Sequence, residues 1–198
     1  MEKIIFIEGI SGAGKTTTAQ QLSNKLLDNG YNVNCYLEGD HDNPLDPFNG
    51  TYPPKITFSK FSEIYIKRWQ DFIDNKLEKN IILILDGTLF HHQINDLICE
   101  YSASDEIIVN HIFHLLDIIK PLNPIVFYLL CNDVEKCLRQ ARISRKQTEP
   151  TEEKIVFWKN RKRIDLYVLE KLSVEFHIQN IDNGWNGIYE KIMSNIKH

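Results

Sequence analysis

Residues 9–16 read Gly9-Ile10-Ser11-Gly12-Ala13-Gly14-Lys15-Thr16 and match the phosphate-binding pattern G-x-x-x-x-G-K-[ST] at every fixed position. The glycines let the backbone curl around an anion with its N–H groups pointing inward. In such a loop the lysine reaches the β- and γ-phosphates of a nucleoside triphosphate, and the hydroxyl that follows it binds Mg²⁺. The predicted nucleotide-binding residues are Gly9, Ser11, Gly12, Ala13, Gly14, Lys15, Thr16 and Thr17.

The sequence on either side of this loop has the order that a phosphate-binding loop requires. Residues 3–8 form an apolar run typical of a buried parallel strand. Residues 17–28 place Leu22 and Leu26 at helical spacing, and Gly30 follows as a helix stop. Strand, loop and helix therefore follow one another as the motif demands.

The bulk composition predicts one ordinary globular domain. At 198 residues, with 42% hydrophobic and 25% charged residues, the chain is long enough for a single core over residues 1–198. Its net charge of −4 gives no electrostatic reason to expect nucleic acid or an anionic membrane as a partner. The longest apolar run, residues 81–85, is far too short to span a bilayer.

The start of the chain and its cysteines predict a cytoplasmic protein. The first strand begins almost at the N-terminus, so no secretory signal is expected. Cys35, Cys99, Cys131 and Cys137 form no C-x-x-C pair and have no metal-ligand spacing. Such cysteines are expected to be free thiols in a reducing compartment.

Apolar runs alternate with helical patterns along the rest of the chain. Further strands are predicted at 32–37, 81–85, 124–130 and 174–178. Further helices are predicted at 58–79, 91–118 with a break near 101–104, 133–145, 152–173 and 185–197. This alternation predicts an α/β fold of three layers, in which helices cover both faces of a five-stranded parallel sheet. Ligands of such sheets bind beyond the carboxyl ends of the strands.

Together these segments resemble the P-loop kinase superfamily, in particular the nucleoside and nucleotide kinase-like group, which includes thymidylate kinase, adenylylsulfate kinase and several antibiotic phosphotransferases. Leu37-Glu38-Gly39-Asp40 looks like the acidic second-strand exit of that group, and Asp86-Gly87 looks like its third-strand acidic position. The third-strand Asp-Arg of thymidylate kinase is missing here, which argues against a thymidylate-type acceptor. The chain looks most similar to bacterial kinase-like proteins with the same Leu-Glu-Gly-Asp element, and the resemblance implies the P-loop kinase fold.

Two carboxylates are candidates for the chemistry. An acceptor hydroxyl needs a carboxylate within hydrogen-bond reach, and Asp40 is the predicted base, with Glu38 and Asp42 as rivals a short step away. Asp86 is predicted to bind Mg²⁺ with Thr16 or to orient the acceptor, because its strand is the most apolar of the chain. The alternative for each acid is a turn former or helix cap.

The predicted helix 133–145 carries Arg139, Arg142 and Arg145 at intervals of three residues. It looks like the arginine-bearing helix that opens the lid of these kinases, and we expect a lid around residues 139–163. Since guanidinium groups suit phosphate oxygens, Arg142 and Arg145 are predicted to be catalytic. Further candidates are Arg161 and Arg163. The alternative for each arginine is a solvated basic face.

The acceptor pocket is expected between the second and third strands. A stripe at helical spacing there contains Phe58, Phe61, Tyr65, Arg68 and Phe72. Aromatic residues in such a stripe more often form core, whereas Arg68 could pair with a carboxylate or phosphate of the acceptor. The pairs His91-His92 and His111/His114 are expected to be surface or capping residues rather than metal ligands.

These observations predict an enzyme that moves the γ-phosphoryl group of MgATP to a hydroxyl or phosphate of a small molecule, such as a nucleoside or nucleotide. The alternative is an ATP-binding protein, ATPase or GTPase-type regulatory protein without a small-molecule acceptor. The guanine-reading Asn-Lys-x-Asp of a GTPase switch is missing from the sequence, as is the hydrophobic run ending in Asp-Glu of motor ATPases. The sequence leaves open the identity of the acceptor and whether the protein forms a homodimer.

Overall fold

The computed structural model describes residues 3–40, 43, 45–48, 53–75, 80–182 and 188–196. Asp42, a rival of Asp40, therefore lies outside the described residues. The same holds for residues 76–79 and 185–187 and for residue 197, at the ends of two predicted helices. In the described part of the chain, no helix combines the length and apolar character that crossing a membrane requires.

Within the described residues, five strands form one sheet in which every pairing is parallel. They are β1 (Lys3–Glu8), β2 (Val33–Tyr36), β3 (Ile82–Asp86), β4 (Ile125–Leu130) and β5 (Glu175–Asn180). Their order across the sheet is β2-β3-β1-β4-β5. β1 and β3 are buried along their whole length, as their continuous apolar runs predict. The predicted five-stranded parallel sheet is confirmed.

Seven α-helices accompany these strands in the described residues. They are α1 (Lys15–Asp28), α2 (Phe58–Asn75), α3 (His91–Tyr101), α4 (Asp105–Ile119), α5 (Val134–Ser144), α6 (Glu152–Lys171) and α7 (Ile188–Ile196). The predicted break near 101–104 is confirmed, because Ser102 adopts a left-handed conformation and ends α3. Ser104 then begins α4 as its cap, and its side chain accepts a hydrogen bond from the Ile107 N–H.

The alternation of side chains along each strand divides the core into two. On one face of the sheet, residues such as Phe6, Leu85 and Tyr128 pack against α2, α3, α4 and α6. On the other face, their sequence neighbours such as Ile7 and Phe127 pack against α1, α5 and α7. Since successive strand residues point to opposite faces, the two cores complete the predicted three-layer α/β/α architecture.

Candidate phosphate-binding site

The loop between β1 and α1 has a backbone that only glycine fits at two of its positions. Gly9 has φ of 146°, and a Cβ placed there would lie 2.8 Å from the Leu129 carbonyl oxygen. Gly12 has φ of 83°, and a Cβ there would lie 2.7 Å from the Ala141 Cβ of α5. Both positions combine a left-handed conformation with a close approach, so a side chain would displace the loop.

The start of α1 is suited to an anion. Gly14 is the residue before the helix, with φ of 81°, and no side chain caps the first turn. The first turn also contains no acidic residue. The N–H groups at a helix start carry partial positive charge, and here no acidic residue of the first turn competes for them. The loop and helix therefore form the anion site that the sequence predicts.

The ammonium of Lys15 is buried at the floor of this site, where only 5% of the residue is exposed. Its Nζ lies 3.3 Å from Oε2 of Glu38 and 3.3 Å from Nδ1 of His91, and it donates a longer hydrogen bond of 3.5 Å to the Ile10 carbonyl oxygen. We call Lys15, Glu38 and His91 the phosphate cluster. Three elements meet in it, namely the start of α1, the turn after β2 and the start of α3.

Glu38 is the carboxylate that faces the predicted phosphate position. Burial favours its neutral form, but the hydrogen bond from His91 and the charge of Lys15 outweigh that effect and hold the pKa of Glu38 below its usual range. The carboxylate is therefore ionised at neutral pH. A third of the side chain remains exposed, so a ligand can reach it.

His91 links the other two members of the phosphate cluster. Its Nε2 lies 3.2 Å from Oε1 of Glu38, and its ring stacks on the indole of Trp158 from α6 at a centroid distance of 5.2 Å. Burial and the nearby charge of Lys15 lower the pKa of His91 to about 3, so the ring is neutral. An ammonium only donates and a carboxylate only accepts, which puts the ring proton on Nε2 and leaves Nδ1 to accept from Lys15.

Thr16 and Asp86 lie together where the sequence predicts a magnesium site. The Thr16 hydroxyl donates a 2.6 Å hydrogen bond to Oδ2 of Asp86, and this oxygen also accepts from the Glu38 N–H at 3.2 Å. The other carboxylate oxygen, Oδ1, is buried and has no partner in the described structure. Burial raises the pKa of Asp86. A hydroxyl and a carboxylate oxygen in need of a partner fit the oxygen-binding Mg²⁺ ion.

Asp40, the base predicted from the sequence, has a different setting from Glu38. Its carboxylate accepts a 2.8 Å hydrogen bond from the Leu37 N–H, and its own N–H donates to the Leu37 carbonyl oxygen at 3.2 Å. Asp40 is exposed and stabilises the turn that follows β2. The structure thus gives Asp40 the turn-forming contacts of the alternative interpretation and brings Glu38, its rival, to Lys15.

Arg139 and Arg142 of α5 and Arg145, which follows the helix, lie in different surroundings. Arg139 pairs on the surface with Glu135 and Glu149. Arg142 donates to the Thr148 carbonyl oxygen at 3.2 Å, and Arg142 and Arg145 line a cavity of about 40 Å³ with Ser11 of the phosphate loop. That volume suits about one water molecule, so it is a gap between the predicted lid and the loop rather than room for a nucleotide.

Arg161 and Arg163 have structural partners. The Arg161 guanidinium is fully buried, where it donates to the Phe90 carbonyl oxygen at 2.8 Å and pairs with Asp165 at 2.9 Å. Asp165 in turn accepts a 3.0 Å hydrogen bond from the Tyr128 hydroxyl. We call Arg161, Asp165 and Tyr128 the arginine cluster. Arg163 forms a surface pair with Asp105 at 2.6 Å, so neither arginine lies at the phosphate loop.

Glu8, the last residue of β1, is a further buried acid beside the site. Its Oε1 accepts a 2.8 Å hydrogen bond from the Leu89 N–H, which fixes the segment between β3 and α3. Burial raises the pKa of Glu8 to about 8 despite that hydrogen bond, so the side chain is a neutral acid at pH 7. Glu8 therefore supports the start of α3, from which His91 projects.

The aromatic stripe of α2 is core. Phe61, Tyr65 and Phe72 are buried, and Phe58 packs its ring against Tyr101 at a centroid distance of 6.1 Å. This agrees with the more frequent role of such stripes. Arg68 is half-buried on the same helix. The described residues of this region thus supply core packing, and they leave the acceptor pocket itself unassigned.

The sequence did not predict the role of His91, and it ranked Glu38 only as a rival of Asp40. The histidine pair at 91–92 was expected at the surface or as a cap, yet His91 is buried and bonded to Lys15 and Glu38. A signal was available, because His91 comes five residues after Asp86 and hence at the same edge of the sheet.

Among the described residues, no group of three or more histidines, cysteines or acids is arranged to bind a metal ion.

The loop, the sheet order and the Thr16–Asp86 pair define a nucleotide-binding protein of the P-loop type with a kinase-like three-layer fold. The family of AAA domains named AAA_18 matches residues 5–156, and the chain belongs to this family. No curated protein matches the sequence.

Two solved structures resemble this one over nearly the whole chain. YorR of Bacillus subtilis, in complex with phosphorylated GDP, has a TM-score of 0.59 and 17% identity, and the match covers 98% of this chain and 95% of YorR. Kti12 of Chaetomium thermophilum, in complex with ADP-AlF3, has a TM-score of 0.53 and 15% identity, with 98% and 96% covered. At these identities the likeness concerns the fold, and it confirms the predicted P-loop kinase-like architecture.

Proposed function

We propose that the protein is an ATP-dependent phosphotransferase that moves the γ-phosphoryl group to a hydroxyl or phosphate of a small molecule. The observation that carries this proposal is the position of Glu38, whose ionised carboxylate lies 3.3 Å from Lys15 at the open edge of the phosphate loop. The loop and Lys15 account for a triphosphate, and Glu38 offers an acceptor group a partner beside it.

In the proposed reaction each residue of the site has a separate task. The loop N–H groups and Lys15 hold the β- and γ-phosphates. Glu38 accepts a hydrogen bond from the acceptor hydroxyl and receives its proton once the forming O–P bond has made that oxygen acidic. A bond forms between that oxygen and the γ-phosphorus, the bond from phosphorus to the β–γ bridging oxygen breaks, and its electron pair leaves with ADP. Arg142 and Arg145 would stabilise the phosphoryl oxygens if the lid segment turned them inward.

Thr16 and Asp86 are the residues that would hold Mg²⁺. Their hydroxyl and carboxylate oxygens already lie together, and the unpartnered Oδ1 of Asp86 has a free acceptor position. When bound, the ion would neutralise charge on the phosphate oxygens. Asp86 is thereby assigned to the metal, and Glu38 takes the role at the acceptor.

Several further observations support this proposal. The two structural neighbours were solved with phosphorylated GDP and with ADP-AlF3, which supports a nucleotide at the corresponding loop here. The four cysteines are free thiols, the form that a reducing cytoplasm maintains, so the proposal includes a cytoplasmic location.

An ATP-consumption screen tests the proposal. The protein with MgATP is incubated with nucleosides, nucleoside monophosphates and other hydroxylated small molecules, and ADP and phosphorylated product are both measured. We expect ADP formation that depends on one class of acceptor and a product with one added phosphoryl group. Lys15→Ala serves as the control for a contaminating kinase.

Two results would contradict the proposed transfer. ADP formation at the same rate with and without every acceptor would identify an ATPase. A preference for GTP over ATP by orders of magnitude would identify a nucleotide switch.

A further inference from the structure

The contacts of His91 suggest a role that the proposed chemistry does not yet use. Among the described residues, Lys15 contacts Ile10, Glu38 and His91. Phosphate oxygens compete for the same ammonium, because a phosphate-loop lysine binds the β- and γ-phosphates. When Lys15 turns to the phosphates, Glu38 loses its cationic partner.

His91 is the contact of Glu38 that remains after such an exchange. The Nε2–H of His91 donates to Oε1, whereas Lys15 contacts the other oxygen, Oε2. The two contacts are therefore separate, and loss of one leaves the other in place. A side chain held by one hydrogen bond from a fixed donor keeps its direction, whereas an unheld glutamate samples several rotamers.

The ring of His91 is itself held on several sides. It belongs to the first turn of α3, only 8% of the residue is exposed, and the Trp158 indole stacks on the ring with an interplanar angle of 22°. Its Cβ also limits the space at Gly87, where an added Cβ would approach it to 3.1 Å. The His91 ring that donates to Glu38 is thus held by packing as well as by its hydrogen bonds with Glu38 and Lys15.

From this arrangement we propose that His91 is a positioning residue, which keeps the Glu38 carboxylate directed at the acceptor when the nucleotide phosphates draw Lys15 away. The inference rests on the proposed function for its catalytic meaning. The structural part of the inference does not rest on it, because Lys15 moves from His91 to the phosphates whenever a nucleotide binds. The neutral ring with its proton on Nε2 serves both states, since Nδ1 gives up the Lys15 hydrogen bond while Nε2–H keeps its bond to Glu38.

The first test uses nuclear magnetic resonance of the full chain labelled with ¹⁵N. Long-range ¹H–¹⁵N spectra report which ring nitrogen of each histidine carries the proton, and loss of a signal in His91→Gln assigns it. We expect His91 to be protonated on Nε2 only. On addition of a non-hydrolysable MgATP analogue, the Nδ1 resonance should move and the Nε2 proton should stay. A proton on Nδ1, a doubly protonated ring, or an unchanged Nδ1 would overturn the inference.

The second test uses kinetics with the acceptor that the screen identifies. His91→Phe keeps a ring against Trp158 and removes both nitrogens, and we expect kcat to fall on the order of 100-fold with the Kd for ATP nearly unchanged. His91→Gln keeps a donor near the position of Nε2 and should recover a large part of kcat. The matched control is His92→Phe, which removes the neighbouring imidazole and neither of the two contacts.

The outcomes of the two tests separate the inference from the proposed function. Equal kcat values in His91→Phe and the wild type, or equal losses in His91→Phe and His91→Gln, would overturn the positioning role. A parallel loss of ATP affinity would instead mean that His91 acts on the phosphates through Lys15, which also overturns it. If the wild-type protein phosphorylates no acceptor, the proposed function fails. The spectra alone then decide whether the hydrogen bond from His91 to Glu38 persists when Lys15 moves to the phosphates.

Discussion

Lys15 and Arg161 are both buried cations that contact a carboxylate and a backbone carbonyl oxygen, but their surroundings differ. In the phosphate cluster, a third of the Glu38 side chain is exposed and the uncapped start of α1 lies alongside. In the arginine cluster, the side chains of Arg161 and Asp165 are both 0% exposed. A ligand can therefore replace the partners of Lys15, whereas Arg161 keeps its own. The accessibility of the carboxylate, rather than the presence of an ion pair, distinguishes a binding cation from a structural one.

The largest expected effect of a single change is that of Lys15→Ala on phosphoryl transfer. The variant removes the buried ammonium at the phosphate end of the loop, so we expect turnover to fall roughly 1,000-fold or more. Thermal unfolding should change little, because Glu38, the ionic partner of Lys15, is a third exposed and can be solvated from the open edge of the site. Unchanged turnover would contradict the kinase proposal, and a large fall in melting temperature would show that Lys15 is structural like Arg161.

Arg161→Ala should have the opposite pattern, with its main effect on stability. It leaves Asp165 buried without its cation, for which we expect a loss of about 3–5 kcal/mol in the free energy of unfolding. The matched control is Arg163→Ala, two residues along α6. Its surface pair with Asp105 should contribute about 1 kcal/mol or less. Urea denaturation of the two variants measures the difference, and equal losses would show that burial does not separate them.

Glu38→Gln and Asp40→Asn test which acid of the turn after β2 serves the acceptor. Glutamine keeps the shape of Glu38 but not its basic carboxylate, so we expect kcat to fall roughly 100-fold with ATP affinity nearly intact. Asp40→Asn keeps an oxygen for the Leu37 N–H and should change kcat by no more than a few-fold. A larger loss in Asp40→Asn than in Glu38→Gln would return the role to the residue predicted from the sequence.

A further expected effect is the pH dependence that Glu8 gives to stability. Its pKa is raised from 4.5 to about 8 in the folded protein, so between these values the unfolded chain releases a proton that the folded chain keeps. This contribution to stability is fully present below about pH 4.5 and is lost as the pH rises to 8, with a slope of at most about 1.4 kcal/mol per pH unit. Urea denaturation of wild type and Glu8→Gln at pH 5 and 8 measures it. A wild-type difference no larger than that of the variant would contradict the assignment.

Local patterns in the sequence predict the phosphate loop, the five strands and the break before α4. Each of these depends on residues close together in the chain, such as the glycine spacing of the loop or the cap at Ser104. The choice between Glu38 and Asp40 is different, because it depends on the direction of two side chains in one tight turn. β2 ends at Tyr36, one residue before the predicted end, and the turn that follows directs Asp40 back to Leu37.

The roles of His91 and Arg161 depend on contacts between distant segments. Neither the burial of a histidine nor the partner of an arginine is encoded by its own neighbours in the sequence. Arg161 follows Phe90 by 71 positions, yet it donates to the carbonyl oxygen of that residue. Only the packing of α6 against α3 decides that this arginine is structural and that Trp158 lies on His91.

The close fit between Gly12 and Ala141 has a consequence for how the sequence can change over evolutionary time. A Cβ at position 12 would lie 2.7 Å from the Cβ of Ala141. The space between the two positions therefore accommodates the Cβ of only one of them. A larger residue at 141 would press on the phosphate loop without touching a nucleotide. The permitted substitutions at the two positions are therefore linked, and in an alignment of descendants we expect position 141 to stay small wherever position 12 is glycine.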